Sequence, residues 1–309
     1  MTTTEAPPSL AELPRPPAAG ARDSLPAAPP VPEWRRILRG IGLVFWFCVG
    51  WVTLITFLAI FFYWLPFRKY GHYDFDHLYG GFSAKHWLGT NNEGDDLLGL
   101  SIQGARISLY VGLITTFLGS VIGGALGMTA GYFGGKVDAG ISFVVDVMLS
   151  FPSLVLLLAV VSFLGGASIR NLVIGLGLLA VPAIARISRA NTLPFVRREF
   201  VTAARALGAS QRRVLIREIM PNVLPPVLSF SITLMAIIIV ADGALAILGL
   251  GLGKQNPTWG GLILGGRNYL DQAPQISLVP CGFLTLTVLS LTLIGDRLQA
   301  RFSGRGARI

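Results

Sequence analysis

The chain has 309 residues, of which 52% are hydrophobic and only 13% charged. Soluble domains carry about 25% charged residues, so this composition excludes an ordinary soluble domain and points to a membrane protein. The net charge of +9 would suggest nucleic acid as a partner of a soluble protein. In a membrane protein the placement of Lys and Arg matters more than their sum, and no nucleic-acid partner is expected. Cys48 and Cys281 lie far apart in apolar runs and make neither a disulfide framework nor a metal spacing.

Residues 1–33 are rich in Pro, Ala, Ser and Thr without apolar periodicity, which predicts a disordered cytoplasmic tail. It does not read as a signal peptide, because the apolar run that follows is too long and no small-residue cleavage site closes it. Residues 34–66 hold the first transmembrane helix: Ile41 to Leu65 is apolar throughout and exceeds the roughly 20 residues needed to span a bilayer. Trp34, Tyr63 and Trp64 stand near its ends, where aromatic rings favour the interface.

Residues 67–106 read as a mixed polar extracytoplasmic loop, with His72, His77 and His86 as solvated loop residues rather than metal ligands. Four further spans are expected at roughly 107–131, 139–164, 169–190 and 222–249, and a last one at 277–296. Gly119, Gly123, Gly124 and Gly127 have nearly small-xxx-small spacing, which predicts a helix-packing face. Ser150-Phe151-Pro152 should kink the third span. The expected fold is thus an all-α membrane protein of six transmembrane helices with cytoplasmic N- and C-termini. Residues 107–298 form a five-helix core and 299–309 a basic cytoplasmic tail. In that orientation 18 of the 25 basic residues fall on inner segments, as the positive-inside rule requires.

Eight of those basic residues, Arg186 to Arg217, lie in or beside the loop 191–221. Its central stretch, Arg197 to Asn222, reads RREFVTAARALGASQRRVLIREIMPN. Glu199–Leu207 predicts a short helix that Gly208 stops. A second helical run, Gln211–Met220, is expected to be closed by Pro221. Two short helices about a glycine hinge form a stiff knob for a protein partner; the bland alternative is a charged loop that only fixes topology.

The spacing in this stretch resembles the coupling loop of ABC importer permeases. The resemblance is carried by Thr202-Ala203-Ala204, Gly208 and Ile219-Met220-Pro221-Asn222, with Thr202 in place of the family's Glu and Met220 in place of its Leu. Glu199 to Ser210, EFVTAARALGAS, is similar to the dipeptide/oligopeptide/nickel branch, in particular its DppC/OppC-like subunits. A second signature of that branch falls on Leu88-Gly89-Thr90, Gly94, Asp96, Gly104-Ala105-Arg106 and Ser108-Leu109. It departs at Asn91, Asp95, Gly99 and Leu100. Asp138, Asp146 and Leu149 to Pro152 match a third, in which Phe143 replaces Arg. Pro257, Trp259-Gly260, Gly266-Arg267, Tyr269-Leu270, Ala273-Pro274 and Gly295 to Leu298 continue the pattern.

The resemblance implies a type I ABC importer permease in the bacterial plasma (inner) membrane that imports di- or oligopeptides by alternating access. It implies a homologous second permease subunit (DppB/OppB-like), one or two ABC ATPase subunits and an extracytoplasmic substrate-binding protein. The residues it assigns to ATPase docking are Glu199, Phe200, Thr202, Ala203, Ala204, Arg205, Ala206, Leu207, Gly208 and Ala209. A helix over Glu199–Leu207 would be about 14 Å long, enough to sit in a partner's groove.

The chain itself shows no ATP site. A P-loop needs Gly, four residues, then Gly-Lys-Ser/Thr. Gly135-Lys136 is followed by Val137 and preceded by Ala130 at the first-glycine position; Gly253-Lys254 is followed by Gln255 and has Leu248 there. ATP and Mg are therefore expected on partner subunits, with no cofactor on this chain, and no catalytic or metal constellation makes it an enzyme. The ionisable residues within spans are Asp146 and Asp242. Each needs a partner or a wet cavity, because an uncompensated Asp at mid-bilayer costs about 2.5–3.5 kcal/mol. They serve either helix packing or the substrate path and its gating. Arg186 and Arg189 are expected at the cytoplasmic interface. These acids leave one alternative open, a self-sufficient ion-coupled transporter or channel, although no internal repeat supports it.

Overall fold

The computed structural model describes residues 42–64 and 74–306, with side chains as far as Phe302. The N-terminal tail with Trp34, the segment with Arg68, Lys69 and His72, and residues 307–309 lie outside the described residues. Among those described the regular elements are all helical.

Helix α1, Leu43–Ile60, is apolar on every side and buries only one stripe, Cys48, Ile55 and Ala59. Trp51 Nε1 donates to Thr287 Oγ1 at 3.1 Å, fixing α1 to the last helix. Helix α2, Leu97–Phe133, has 37 residues and is about 55 Å long, well beyond the roughly 30 Å of a bilayer core. It begins ten residues before the expected 107 because Asp96 caps it, accepting from the Gly99 N–H at 2.9 Å. The cap, and not the apolar window, sets the start.

In place of the expected third span stand two helices, α3 (Gly135–Ser150) and α4 (Ser153–Phe163), bent by 91°. The expected kink is thus a right angle. Phe151, ahead of Pro152, is extended at φ −81° and ψ 138°, as a residue before proline prefers. Helix α5, Ile169–Val196, is capped by Ser168 and carries Pro182 and Pro194 inside, so it outruns the expected 169–190.

Helix α6, Glu199–Ala206, is followed by α7, Gln211–Leu250, which continues past Pro221 and is broken only in its last turn, where Gly249 takes φ +87°. The expected end at Pro221 is incorrect. A π turn, Val214–Ile219, precedes Pro221, and the Met220 N–H bonds five residues back to Leu215 O. This wider turn accommodates a ring that has no N–H to give and would crowd the carbonyl four residues back. The expected loop after α7 contains a short helix, α8 (Trp259–Gly266). The last helix, α9, spans Gln275–Gly306, so the expected tail 299–309 is helical as far as residue 306.

The most extensive contact joins α2 and α5. Along it Gly119, Gly123, Gly127 and Gly131 meet Ala180, Val181, Ala185 and Thr192, with no room for a Cβ. Gly124 is the exception among the four expected glycines: a Cβ there would meet nothing. Its role is to accept the Ser188 Oγ–H at 3.0 Å through its carbonyl.

Candidate functional site

The knob is built by capping. Leu207 ends α6, and Gly208 turns the chain at φ +83°, a conformation a residue with a Cβ adopts reluctantly. The Gly208 N–H bonds to Arg205 O and the Ala209 N–H to Ala204 O, each at 3.0 Å. This pair of bonds is the Schellman arrangement, and the contact between Ala204 and Ala209 completes it. Ser210 Oγ then accepts from the Arg213 N–H at 3.4 Å to open α7.

One face of α6 is anchored: Val201 is fully buried in the core that contains Val214, Ile219 and Val223. The Arg205 guanidinium lies 5.2 Å from the ring centre of Tyr132, near the end of α2. The other face is open. Glu199, Phe200, Thr202, Ala203, Arg205, Ala206 and Gly208 are exposed, and Ala204 and Ala209 half-buried. Leu207 is 88% exposed, an apolar side chain at the tip with no intrachain partner surface.

Behind the knob, α3 and α5 carry two ion pairs. Arg189 grips Asp138 with both ends of its fork, Nε to Oδ1 at 2.5 Å and Nη2 to Oδ2 at 2.6 Å. Arg186 Nη2 donates to Asp146 Oδ1 at 2.8 Å. The two arginines thus hold α3 and are more than interfacial anchors. A signal was available: aspartates eight apart in α3 and arginines three apart in α5 place like charges on one face of each helix. Between them lies a cleft of about 270 Å³.

Asp242 is elsewhere, near the far end of α7, and is 3% exposed. Its hydrogen-bonding neighbour is Thr258; its Oδ2 has no partner among the described residues. The two acids of the spans therefore belong to separate sites.

The opposite end is closed by α8. Trp259 is fully buried, its ring N–H donates to Ser101 O at 2.9 Å, and its backbone N–H to Ser108 Oγ at 3.1 Å. Gly260 rests on Gly243 of α7 too closely for any Cβ. A cavity of about 470 Å³ lies over this helix, with Leu97, Leu252, Pro257, Leu262 and Tyr269 in its wall. Lys254 pairs with Glu93 across it, and Asn92 donates to the Tyr269 hydroxyl at 3.2 Å.

His86 corrects the expectation of a solvated loop. It is 1% exposed, with Nδ1 2.9 Å from Asp96 and Nε2 3.4 Å from Asp74. His77 remains half-exposed, 3.3 Å from Asp74. Lys85, then His77, hold the Asp74 carboxyl well below the usual carboxylate range. Hydrogen bonds to the charged form have this effect.

Residues 123–306, more than half the chain, match the family described as binding-protein-dependent transport system inner membrane component. The glutathione transport system permease protein GsiD of Pectobacterium atrosepticum is 33% identical over 268 residues, 86% of this chain and 88% of that protein. GsiD of Escherichia coli is 35% identical over 249 residues, 80% and 82% of the two chains. Among solved structures, the inward-facing MetNI methionine ABC transporter shares the fold with a TM-score of 0.55 at 20% identity. That match covers 67% of this chain and 97% of that one. An amino acid ABC transporter gives 0.51 at 16% identity, over 66% and 94%. A carrier driven by an ion gradient is set aside by this membership. The chain belongs to the binding-protein-dependent inner membrane component family, and it is a permease of an ABC importer, a multi-pass protein of the inner membrane and not itself an enzyme.

Proposed function

We propose that this permease imports short peptides, and that it pairs with a homologous second permease and docks an ATPase subunit through the knob at Glu199–Ala209. ATP and Mg are held by the ATPase subunits, and a substrate-binding protein delivers the cargo on the other side. The peptide reading is supported by the relatives named for glutathione, a tripeptide. The observation that carries the docking reading is the split character of α6, with Val201 sealed in the core and Leu207 left open at the tip.

A helix anchored on one side transmits a push as a rigid lever. About 12 Å of helix, capped at its end by Gly208, enters a groove and is moved with it. Thr202, where related coupling loops carry a carboxylate, bends its hydroxyl toward Arg198 O, so the docking face relies on shape and on Glu199 and Arg205 for charge.

Ala203→Arg tests this, because Ala203 is exposed and helical, so the fold tolerates the change. In proteoliposomes with the partner subunits, uptake of a labelled tripeptide should fall at least tenfold while ATP hydrolysis persists. Uptake and coupling at the native level in Ala203→Arg would overturn the docking assignment.

A further inference from the structure

The two ion pairs behind the knob differ in a way that packing alone does not explain. The Asp138–Arg189 pair is closed: both carboxylate oxygens and both ends of the guanidinium are used. The Asp146–Arg186 pair is open. It makes one contact, its side chains are 64% and 61% exposed, and among the described residues Asp146 Oδ2 and Arg186 Nε take no further partner. A guanidinium offers five donors and a carboxylate about four acceptor positions, so most of the pair's capacity is unspent.

The open pair stands at the wall of the 270 Å³ cleft, whose floor is made of Gly127, Ala130 and Ala185. No large side chain fills that space. Both residues lie on membrane-spanning helices, Asp146 on α3 and Arg186 ten residues before the end of α5. An exposed ion pair on such helices is kept where it meets water or protein and not hydrocarbon, and near the cytoplasmic end of α5 this wall is open to a soluble ligand.

We propose that Arg186 and Asp146 form a clamp for the charged ends of short zwitterionic peptides, an inference that rests on the peptide reading above. The peptide carboxylate replaces Asp146 on Arg186, and its ammonium replaces Arg186 on Asp146. One neutral pair is exchanged for two, so the completed exchange leaves no uncompensated charge. An extended dipeptide spans at most about 7 Å, which two long, exposed side chains reach by rotating apart. The Asp138–Arg189 fork keeps α3 in place meanwhile.

The test is equilibrium binding to the detergent-solubilised complex, without ATP and without binding protein, so that the binding protein's own selectivity is absent. The probes are dialanine, its C-terminal amide and its N-acetyl form. The wild type should prefer dialanine to either blocked form by about tenfold, the worth of one charge-assisted hydrogen bond. Arg186→Gln should lose the preference over the amide and keep that over the acetyl form. Asp146→Asn should do the reverse. Arg186→Lys keeps the charge and should keep the carboxylate preference, which separates recognition from damage to the fold.

A wild type that imports dialanine with ATP and binding protein, yet shows preferences unaltered by both substitutions, would overturn the clamp alone. A wild type that neither binds nor imports dialanine or a labelled tripeptide would overturn the peptide reading and the clamp with it.

Discussion

The α2–α5 seam and the α3–α4 arm are held together by opposite means. Along the seam, Gly119, Gly123, Gly127 and Gly131 bring two backbones into contact over about three turns. The arm buries only Val145 from α3, and Leu157 and Val161 from α4. Phe143, Val144, Phe151, Val155 and Phe163 stay exposed. What ties α3 to α5 is the pair of arginines, and what ties α4 to it is the fit of Leu157 and Val161 over Gly175. Lipid is as apolar as leucine, so helices in a membrane gain nothing from burying side chains as such. They associate by close packing or by polar contacts. The seam uses the first along its whole length. The arm uses polar contacts at α3 and one packed glycine at α4, and it is the less tightly held of the two.

Gly127→Val should produce the largest effect. The new Cβ would overlap the carbonyl oxygen of Ala185 and stand 2.7 Å from Ser188 Cβ. Backbone on both sides leaves nothing to yield, so the cost should reach about 3 kcal/mol or more. Thermal melting of the purified protein in detergent measures it. Val147→Ala, on the exposed face of the arm, should change the same midpoint little. If both variants melted alike, the contrast between the seam and the arm would be lost.

Arg189→Ala comes next. It leaves Asp138 with Ser142 Oγ at 3.2 Å as its remaining side-chain partner. The half-exposed fork is worth about 1–3 kcal/mol at the upper end for charge-assisted bonds. The expected signature is local. Hydrogen exchange should quicken across 135–150 while 97–133 and 169–185 keep their protection. Uniform quickening would mean the arm is part of the seam after all.

Much of this architecture is legible in the sequence, and the misses share a cause. Hydropathy finds the five helices long enough to cross a membrane and the bent pair among them, because a run of about 20 apolar residues has few other uses. Their ends are missed because caps and π turns decide them. Asp96 starts α2 inside a polar stretch, and Pro221, a stop signal in most helices, is absorbed by the turn before it. The knob is legible because Gly208 is a local signal acting within four residues. Its anchoring is not, because Val201 is buried by residues as distant as Val223. The arginine pairs join residues 40 and 51 positions apart, and His86 is enclosed by Asp74 and Asp96 from either side. The charged faces of α3 and α5 are visible in each segment, but which residue meets which is not. Gly124 shows the limit of the spacing rule itself, since it fits the pattern and yet faces open space.

That glycine gives the smallest and most discriminating effect. Gly124 sits one residue from Gly123, on the same helix and within the same motif. A Cβ at Gly123 would overlap Val181 O, whereas at Gly124 it would meet nothing within 4 Å. The carbonyl that Ser188 uses is backbone and survives the substitution. Alanine also favours a helix over glycine by up to about 1 kcal/mol. Gly124→Ala should therefore leave the melting midpoint unchanged or raise it slightly, while Gly123→Ala lowers it clearly. Equal losses at the two positions would place α5 closer to α2 than the seam described here, with both glycines in contact. Divergence confirms that the seam is a line one residue wide, drawn by the glycines four apart and by no others.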